Sequence, residues 1–257
     1  MQTSTDPNQQ QAVYDNSIYR PLTTQERFTT TITLAPERAE RIRATYRYLC
    51  ISVVAGMAGG WLGYQIEPWV EFMFTWPGWI MAMILLNTIP GIALKASRSS
   101  PMTAVGALAA TGFMFGMVLA PLIFVAMLLS RGMLGPNLPQ QALVITAVIF
   151  AAITAYVMKS GRHYSAPRGL MVGIFFAIVG AILVNGIFLH SGLAGTLVSA
   201  AIGIFGALTL VYATSSVLHD PEFDDPVYGA MVLFAGLFHV FQAVLHLLLS
   251  IAGGSRD

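Results

Sequence analysis

The stretch Tyr212–Ser250 reads YATSSVLHDPEFDDPVYGAMVLFAGLFHVFQAVLHLLLS and sets the expectation for the whole chain. One apolar helix ends here, a short acidic loop follows, and a last apolar helix begins. The last helix carries His239, Gln242 and His246, and intervals of three and four residues place all three on one face. Polar side chains inside an apolar helix are expensive in lipid, so this face is expected to contact protein or a water-filled cavity.

The rest of the chain is similarly apolar. Of its 257 residues, 56% are hydrophobic and only 10% are charged, and the mean hydropathy is +0.69. A soluble domain has about 25% charged residues. No Asp or Glu occurs between Glu71 and Asp220, and a segment of that length without acids cannot cover a water-exposed surface. The sequence therefore predicts an all-α, polytopic membrane protein.

Seven apolar segments are each near or above the roughly 20 residues that a membrane-spanning helix needs. The predicted spans are 46–66, 78–95, 102–129, 140–159, 168–189, 193–218 and 228–251. Residues 1–35 form a polar tail with too few apolar residues for a core, and they are predicted to be disordered. A charged helix starting at Pro36 leads into the first span, so the membrane domain is predicted over 36–252, with a short C-terminal tail at 253–257.

Lys and Arg residues define the orientation, because cytoplasmic segments carry an excess of them. Eleven of the thirteen basic residues lie in the tail, the lead-in helix, the loop after the second span and the loop after the fourth. Only Arg131 and Arg256 fall on the other side. This distribution predicts a cytoplasmic N-terminus and, with seven spans, a C-terminus that is periplasmic or otherwise outside.

Known catalytic motifs are missing from the sequence: there is no GxSxG, HExxH, Walker glycine loop or intramembrane acid pair. We therefore expect neither an enzyme nor a bound cofactor. His239 and His246 are seven residues apart, roughly 10 Å along a helix, so they cannot chelate one metal ion alone, and no metal site is predicted. The lone Cys50 is expected to be a small apolar filler, and a net charge of +1 gives no indication of nucleic-acid binding.

Two interpretations of the polar face of the last helix remain open. It forms interhelical hydrogen bonds, with Asn185 or Asn87 as the candidate partners, or it holds a titrating histidine in a polar cavity. The Ser and Thr residues of the spans are expected to bond mostly to their own helices.

Small residues recur at four-residue spacing in three of the predicted spans, which allows helices to approach closely in lipid. The pairs are Gly56 with Gly60, Gly59 with Gly63, Gly112 with Gly116, and Gly169 with Gly173. Packing inside the monomer is the preferred interpretation. A homo-oligomer is possible, but the sequence gives it no specific support.

Four segments resemble the Bax inhibitor family (transmembrane Bax inhibitor motif) of seven-span membrane proteins, and together they cover the chain from about Arg43 to its end. RATYRYLCISVVAGMAGGWLG resembles the first span, and ALVITAVIFAAITAYVMKSGRHYSAPRGLM resembles the fourth span, the basic loop and the start of the fifth. IGIFGALTLVYATSSVLHD resembles the sixth span and AMVLFAGLFHVFQAVLHLL the seventh. The resemblance implies a seven-helix bundle.

Two positions depart from that family. Many members carry an aspartate in a YDT-like triplet of the sixth span and another in the seventh, and the pair is linked to a pH-sensitive calcium leak. Here the triplet is Tyr212-Ala213-Thr214, and Gly236 stands at the second position. Ala and Gly neither bind calcium nor share a proton, so the resemblance does not carry the leak over through these two residues.

The family's bacterial YccA-like branch is similar in the same departures, in Thr111-Gly112-Phe113 followed by Pro121-Leu122, and in the run YATSSVLHD. This resemblance implies a multi-pass protein of the bacterial inner membrane that binds and modulates the membrane AAA protease FtsH, and that is also its substrate. The protease would grip a cytoplasmic N-terminal tail. The alternative function is a pH-sensitive leak for calcium or protons that uses His239 and His246.

Overall fold

The computed structural model describes residues 36–131, 137–164, 168–184, 192–220, 223 and 225–254. The predicted tail at 1–35 and residues 255–257 lie outside the described residues. Two compact units divide the chain at Ala39 and Glu40, and only residues 36–39 of the first unit are described. The described residues contain helices and no strand. The helices are α1 Pro36–Gly63, α2 Glu67–Met73, α3 Trp76–Ser97, α4 Pro101–Leu129, α5 Leu138–Ser160, α6 Arg168–Val184, α7 Gly192–His219 and α8 Pro226–Gly254.

Each of the seven predicted spans coincides with one helix, and the short α2 is an addition that the sequence did not predict. Five helices, α3, α4, α5, α7 and α8, are long and apolar enough to cross a membrane. A sixth crossing results if α1 and α2, which meet at 99°, count as one bent span. The described part of α6 has 17 residues. The chain is thus an all-helical, multi-pass membrane protein, while the number seven remains a prediction.

Local sequence signals explain where the helices begin and end. Ser100 caps α4 and exchanges hydrogen bonds with Thr103, and Asn137 does the same with Gln140 at the start of α5. Such capping boxes satisfy backbone N–H groups that a first turn leaves unpaired. α5 stops at Gly161, whose φ of 59° is left-handed and favours glycine. Ser100, Asn137 and Gly161 therefore mark helix ends that lie at the borders of the predicted apolar segments.

Glycines hold α1 and α4 together in parallel. A Cβ atom added to Gly116 would strike the Gly56 carbonyl oxygen and lie 2.6 Å from the Gly60 nitrogen, so only glycine fits there. One turn earlier, the Ser52 hydroxyl donates a hydrogen bond to the Leu108 carbonyl oxygen at 3.4 Å. The close contacts of Gly116 with Gly56 and Gly60 confirm that these glycines pack inside the monomer. Gly173 of α6, by contrast, has nothing within 4 Å of an added Cβ.

Helices α7 and α8 form an antiparallel hairpin with contacts along most of their length. A Cβ on Gly203 would lie 3.0 Å from the Ala243 Cβ, and one on Gly206 would lie 2.9 Å from the Val240 nitrogen. At the far end, Thr196 donates to the Ser250 hydroxyl at 3.3 Å. The main core lies between this hairpin and α4, and it includes Leu108, Phe115, Leu210, Leu233, Phe234 and Phe238.

Candidate functional site

The predicted polar face, His239, Gln242 and His246, lies partly buried along α8. His239 points toward α7, because its ring contacts that of Phe205 edge-on at 5.5 Å between centroids. Its Nδ1–H donates to the Ala235 carbonyl oxygen at 2.6 Å, inside α8. The hydrogen bond of His239 therefore stays within its own helix, and the contact with α7 is aromatic.

His246 lies two turns further along α8, and its Nδ1 atom lacks the hydrogen bond that the Nδ1 atom of His239 makes. Its Nδ1 atom is buried and has no hydrogen-bond partner among the described residues. Its backbone carbonyl accepts a hydrogen bond from Ser250 at 3.0 Å, and Ser250 in turn accepts from Thr196 of α7. The polar contact between α7 and α8 at this level thus runs through Ser250 and Thr196, two hydroxyl residues that the sequence did not single out.

The two asparagines proposed as partners do not complete a network in the described chain. Asn87 is exposed on α3, and its amide nitrogen donates to the Met83 carbonyl oxygen at 2.8 Å, within the same helix. Asn185 lies outside the described residues. The hydrogen bonds of His239 and Asn87 are both local, so the described helices place His239, Gln242 and His246 together but leave Asn87 apart from them.

Ala213 and Gly236 occupy closed positions in the packed hairpin. The side chain of Ala213 is 0% exposed. A Cβ on Gly236 would lie 2.9 Å from both Cγ and Cδ2 of Leu210, one turn before Ala213, and 3.2 Å from the Gly206 carbonyl oxygen. Leu210 itself is fully buried. Ala213 and Gly236 are therefore both enclosed by apolar packing.

A buried run of hydroxyl groups directly follows Ala213, and sequence reasoning missed its importance. Thr214, Ser215 and Ser216 are all at most 1% exposed. Ser215 accepts a hydrogen bond at 2.7 Å from the backbone N–H of Tyr164, in the segment after α5. Ser216 has a buried hydroxyl oxygen without a hydrogen-bond partner among the described residues. Local back-bonding is confirmed for Thr111 and Ser199, which donate to carbonyls four residues earlier. The same expectation is wrong for Thr146 and Thr154, whose buried hydroxyls have no hydrogen-bond partner in their own helix among the described residues.

The Tyr164 segment makes two further contacts at this end of α7. The Tyr164 hydroxyl donates a hydrogen bond to the Tyr156 hydroxyl of α5 at 3.0 Å. The rings of His163 and His219 meet edge-on, with 6.1 Å between their centroids. A hydrogen bond with Ser160 lowers the pKa of the Tyr164 hydroxyl below its ordinary value. Within the described ranges, no three His, Cys, Asp or Glu side chains converge on a point where they could hold a metal ion.

Comparison with known proteins gives one family and several relatives. The family model described as "Inhibitor of apoptosis-promoting Bax1" matches residues 38–253. An uncharacterised protein of Pseudomonas aeruginosa is 30% identical over 61% of this chain and 68% of its own length. One of Campylobacter jejuni is 24% identical over 81% of this chain and 87% of its own. A Golgi anti-apoptotic protein of vaccinia virus is 29% identical over 42% of this chain and 45% of its own.

Proposed function

Because the chain belongs to the Bax inhibitor family, we propose that it acts as a non-enzymatic, YccA-like inner-membrane protein that binds and modulates an FtsH-type AAA protease. It also serves as a substrate of that protease. The bacterial relatives support a place in the bacterial inner membrane. The resemblance of Thr111-Gly112-Phe113, Pro121-Leu122 and the run YATSSVLHD to the YccA-like branch supports the protease as partner.

The closed packing at Gly236 carries this proposal. Family acids at this position and at Ala213 would need space and water, but Leu210 fills the space beside Gly236 and Ala213 is fully buried. A charged residue without partners or water is expensive inside a membrane protein. The hairpin of α7 and α8 therefore favours a stable bundle that resists extraction over an ion path through these positions.

The proposed membrane topology gives the protease access to the polar tail. We place residues 1–35 in the cytoplasm, followed by seven spans and an outside C-terminus, because eleven of thirteen basic residues then lie on the cytoplasmic side. A polar tail that leads into a tightly packed bundle offers an AAA protease a segment to engage. The bundle then slows extraction, which is how a poor substrate occupies and modulates the enzyme.

Degradation by the reconstituted protease tests the proposal. The full chain and a variant lacking residues 1–35 are placed in proteoliposomes with FtsH and ATP, and loss of the intact chain is followed. We expect the truncated variant to persist and to stop competing with a second substrate. A matched control with a scrambled 1–35 sequence should be degraded like the full chain, because composition rather than a motif is proposed to matter. Equal degradation of the truncated and full chains would refute the proposal.

We infer a second candidate, a pH-sensitive ion leak, from one specific observation. The Nδ1 atom of His246 is buried without a partner among the described residues, and an unsatisfied imidazole is able to take up a proton. Calcium and proton flux from proteoliposomes between pH 5 and 8 tests it. Flux that disappears in a His239→Ala, His246→Ala variant, but not in a His163→Ala, His219→Ala control, would support the leak. No flux above empty liposomes would exclude it.

A further inference from the structure

A cleft lies between the end of α1 and the last two turns of α4. α1 stops at Gly63, and α2 leaves at 99° to it. α4 runs parallel to α1 and continues nine residues beyond the level of Gly63, since a Cβ on Gly63 would lie 2.7 Å from the Ala120 Cβ and α4 ends at Leu129. We call this space the elbow cleft, and its volume is about 310 Å³. It is lined by Tyr64, Gln65, Glu67, Phe124, Met127, Leu128 and Arg131.

The walls of the elbow cleft are held by hydrogen bonds. Trp69 of α2 donates from its indole N–H to the Met117 carbonyl oxygen of α4 at 2.8 Å. Gln65 donates from its amide to the Trp61 carbonyl oxygen at 3.0 Å. The Trp69 bond fixes α2 against α4, and the Gln65 bond orders the turn that leaves α1. A preformed site loses less entropy on binding than one that has to be assembled.

The rim of the elbow cleft carries two opposite charges. Glu67 begins α2, and Arg131 lies two residues after the end of α4. Both side chains are exposed and line the same space, yet they form no ion pair with each other in the described structure. An Arg guanidinium matches a phosphate with two parallel hydrogen bonds, and a carboxylate accepts hydrogen bonds from an ammonium group. The rim thus presents a phosphate partner beside an ammonium partner.

One wall of the elbow cleft is apolar and belongs to a membrane-spanning helix. Phe124, Met127 and Leu128 lie in the last two turns of α4, which is long and apolar enough to cross a membrane. Leu128 is 38% exposed. Since α4 ends at Leu129, this wall runs from the lipid headgroup level into the hydrocarbon. A ligand in the cleft is therefore offered charges at one end and an apolar surface at the other.

We propose that the elbow cleft binds a phospholipid whose headgroup contains both a phosphate and a primary ammonium, the chemistry of phosphatidylethanolamine. Arg131 binds the phosphate, Glu67 accepts hydrogen bonds from the ammonium, and the acyl chains lie along Phe124 and Leu128. A purely anionic ligand matches only half of this rim, because Glu67 repels it. A trimethylated ammonium cannot donate a hydrogen bond to Glu67. This site is independent of the proposed role toward a protease.

Native mass spectrometry of the full chain in detergent tests the site, with phosphatidylethanolamine and phosphatidylcholine of identical acyl chains as probes. We expect about tenfold tighter binding of phosphatidylethanolamine, the scale of one charge-assisted hydrogen bond. Glu67→Gln should remove this preference, and Arg131→Gln should weaken both lipids about tenfold. The matched controls Glu71→Gln on α2 and Arg98→Gln after α3 are exposed residues outside the cleft. They should bind like the original chain.

Three results would overturn the proposal. The first is equal affinity of the original chain for the two lipids. The second is unchanged lipid binding in both Glu67→Gln and Arg131→Gln. The third is a loss of lipid preference in the Glu71→Gln control that is as large as the loss in Glu67→Gln. A soluble probe, glycerophosphoethanolamine, separates the lipid from a free headgroup. Binding of this probe as tightly as the lipid would assign the cleft to a soluble ligand and refute the lipid. Gel filtration and thermal unfolding of each variant confirm that the affinities refer to folded protein.

Discussion

The absence of a side chain at Gly236 allows α7 and α8 to pack closely at this position. The neighbours Leu210 and Gly206 lie where a side chain would go. We expect Gly236→Asp, which inserts the acid found in many family members, to lower the free energy of unfolding by roughly 3 kcal/mol through overpacking and charge burial. Thermal unfolding in detergent measures the effect. Gly253→Asp places the same charge on α8 where nothing lies within 4 Å, and it should cost less than about 1 kcal/mol.

Equal stability of the two aspartate variants would show that the α7–α8 contact at Gly236 is looser than described. The Gly236→Asp variant also tests the calcium leak. Gly236→Asp restores only one of the two acids, because Ala213 remains apolar and fully buried. We therefore expect no gain of calcium flux from this substitution alone.

Ser215 and Ser216 are adjacent, equally buried and chemically identical, yet they should respond differently to mutation. Ser215→Ala removes the acceptor of the Tyr164 N–H. We expect a loss of about 1 kcal/mol and about fivefold faster hydrogen exchange at the Tyr164 amide. Ser216→Ala removes a hydroxyl with no partner among the described residues, so exchange at Tyr164 should not change. Faster exchange in both variants would contradict the assignment of this bond to Ser215.

At the residue level, sequence reasoning succeeded where the geometry is local. Intervals of three and four residues place His239, Gln242 and His246 on one face, and the continuous α8 preserves this arrangement. The partners of these residues were not predictable in the same way. The bond between Tyr164 and Ser215 spans 51 residues, and it depends on where α5 ends relative to α7. The open space at the elbow cleft likewise depends on how three elements meet.

Among the helices, the α1–α4 pair depends most directly on glycine. Gly116→Ala would drive a methyl group into the backbone of α1 at Gly56 and Gly60. Backbone cannot move aside as a flexible side chain can, so we expect a loss of about 1–3 kcal/mol. Gly106→Ala, in the same helix, meets nothing within 4 Å. It should be neutral or stabilising by up to about 1 kcal/mol, because Ala favours helix more than Gly.

Unfolding of the purified Gly116→Ala and Gly106→Ala variants in one detergent provides the comparison. A similar stability for both would mean that α1 and α4 separate easily, and the elbow cleft above them would then lose its fixed shape. The lipid affinity of Gly116→Ala is therefore a useful second measurement, since it links the packing of one helix pair to the site at its end.

The element boundaries show why apolar runs predict helices better than connections. All seven apolar segments contain a helix, because each is long and uninterrupted. The α2 helix has only seven residues and begins with Glu67 and Pro68, so its sequence resembles a loop between two spans. Its position is fixed by the Trp69 bond to Met117, a tertiary contact that no local pattern reveals. The 99° bend at this point was unpredictable for the same reason.

At the scale of the whole molecule, the asymmetry of basic residues makes a prediction about topology. Seven crossings place the C-terminus outside, whereas six place it in the cytoplasm with the tail. The described part of α6 spans about 25 Å at 1.5 Å per residue, so its crossing decides the count. We replace Cys50 by Ala and add one Cys at Ser255 or at Ser99. An impermeant maleimide applied to intact cells should label the Ser255→Cys variant but not the Ser99→Cys control. Labelling of neither variant would refute seven spans in favour of six, and the reverse pattern would refute the proposed orientation.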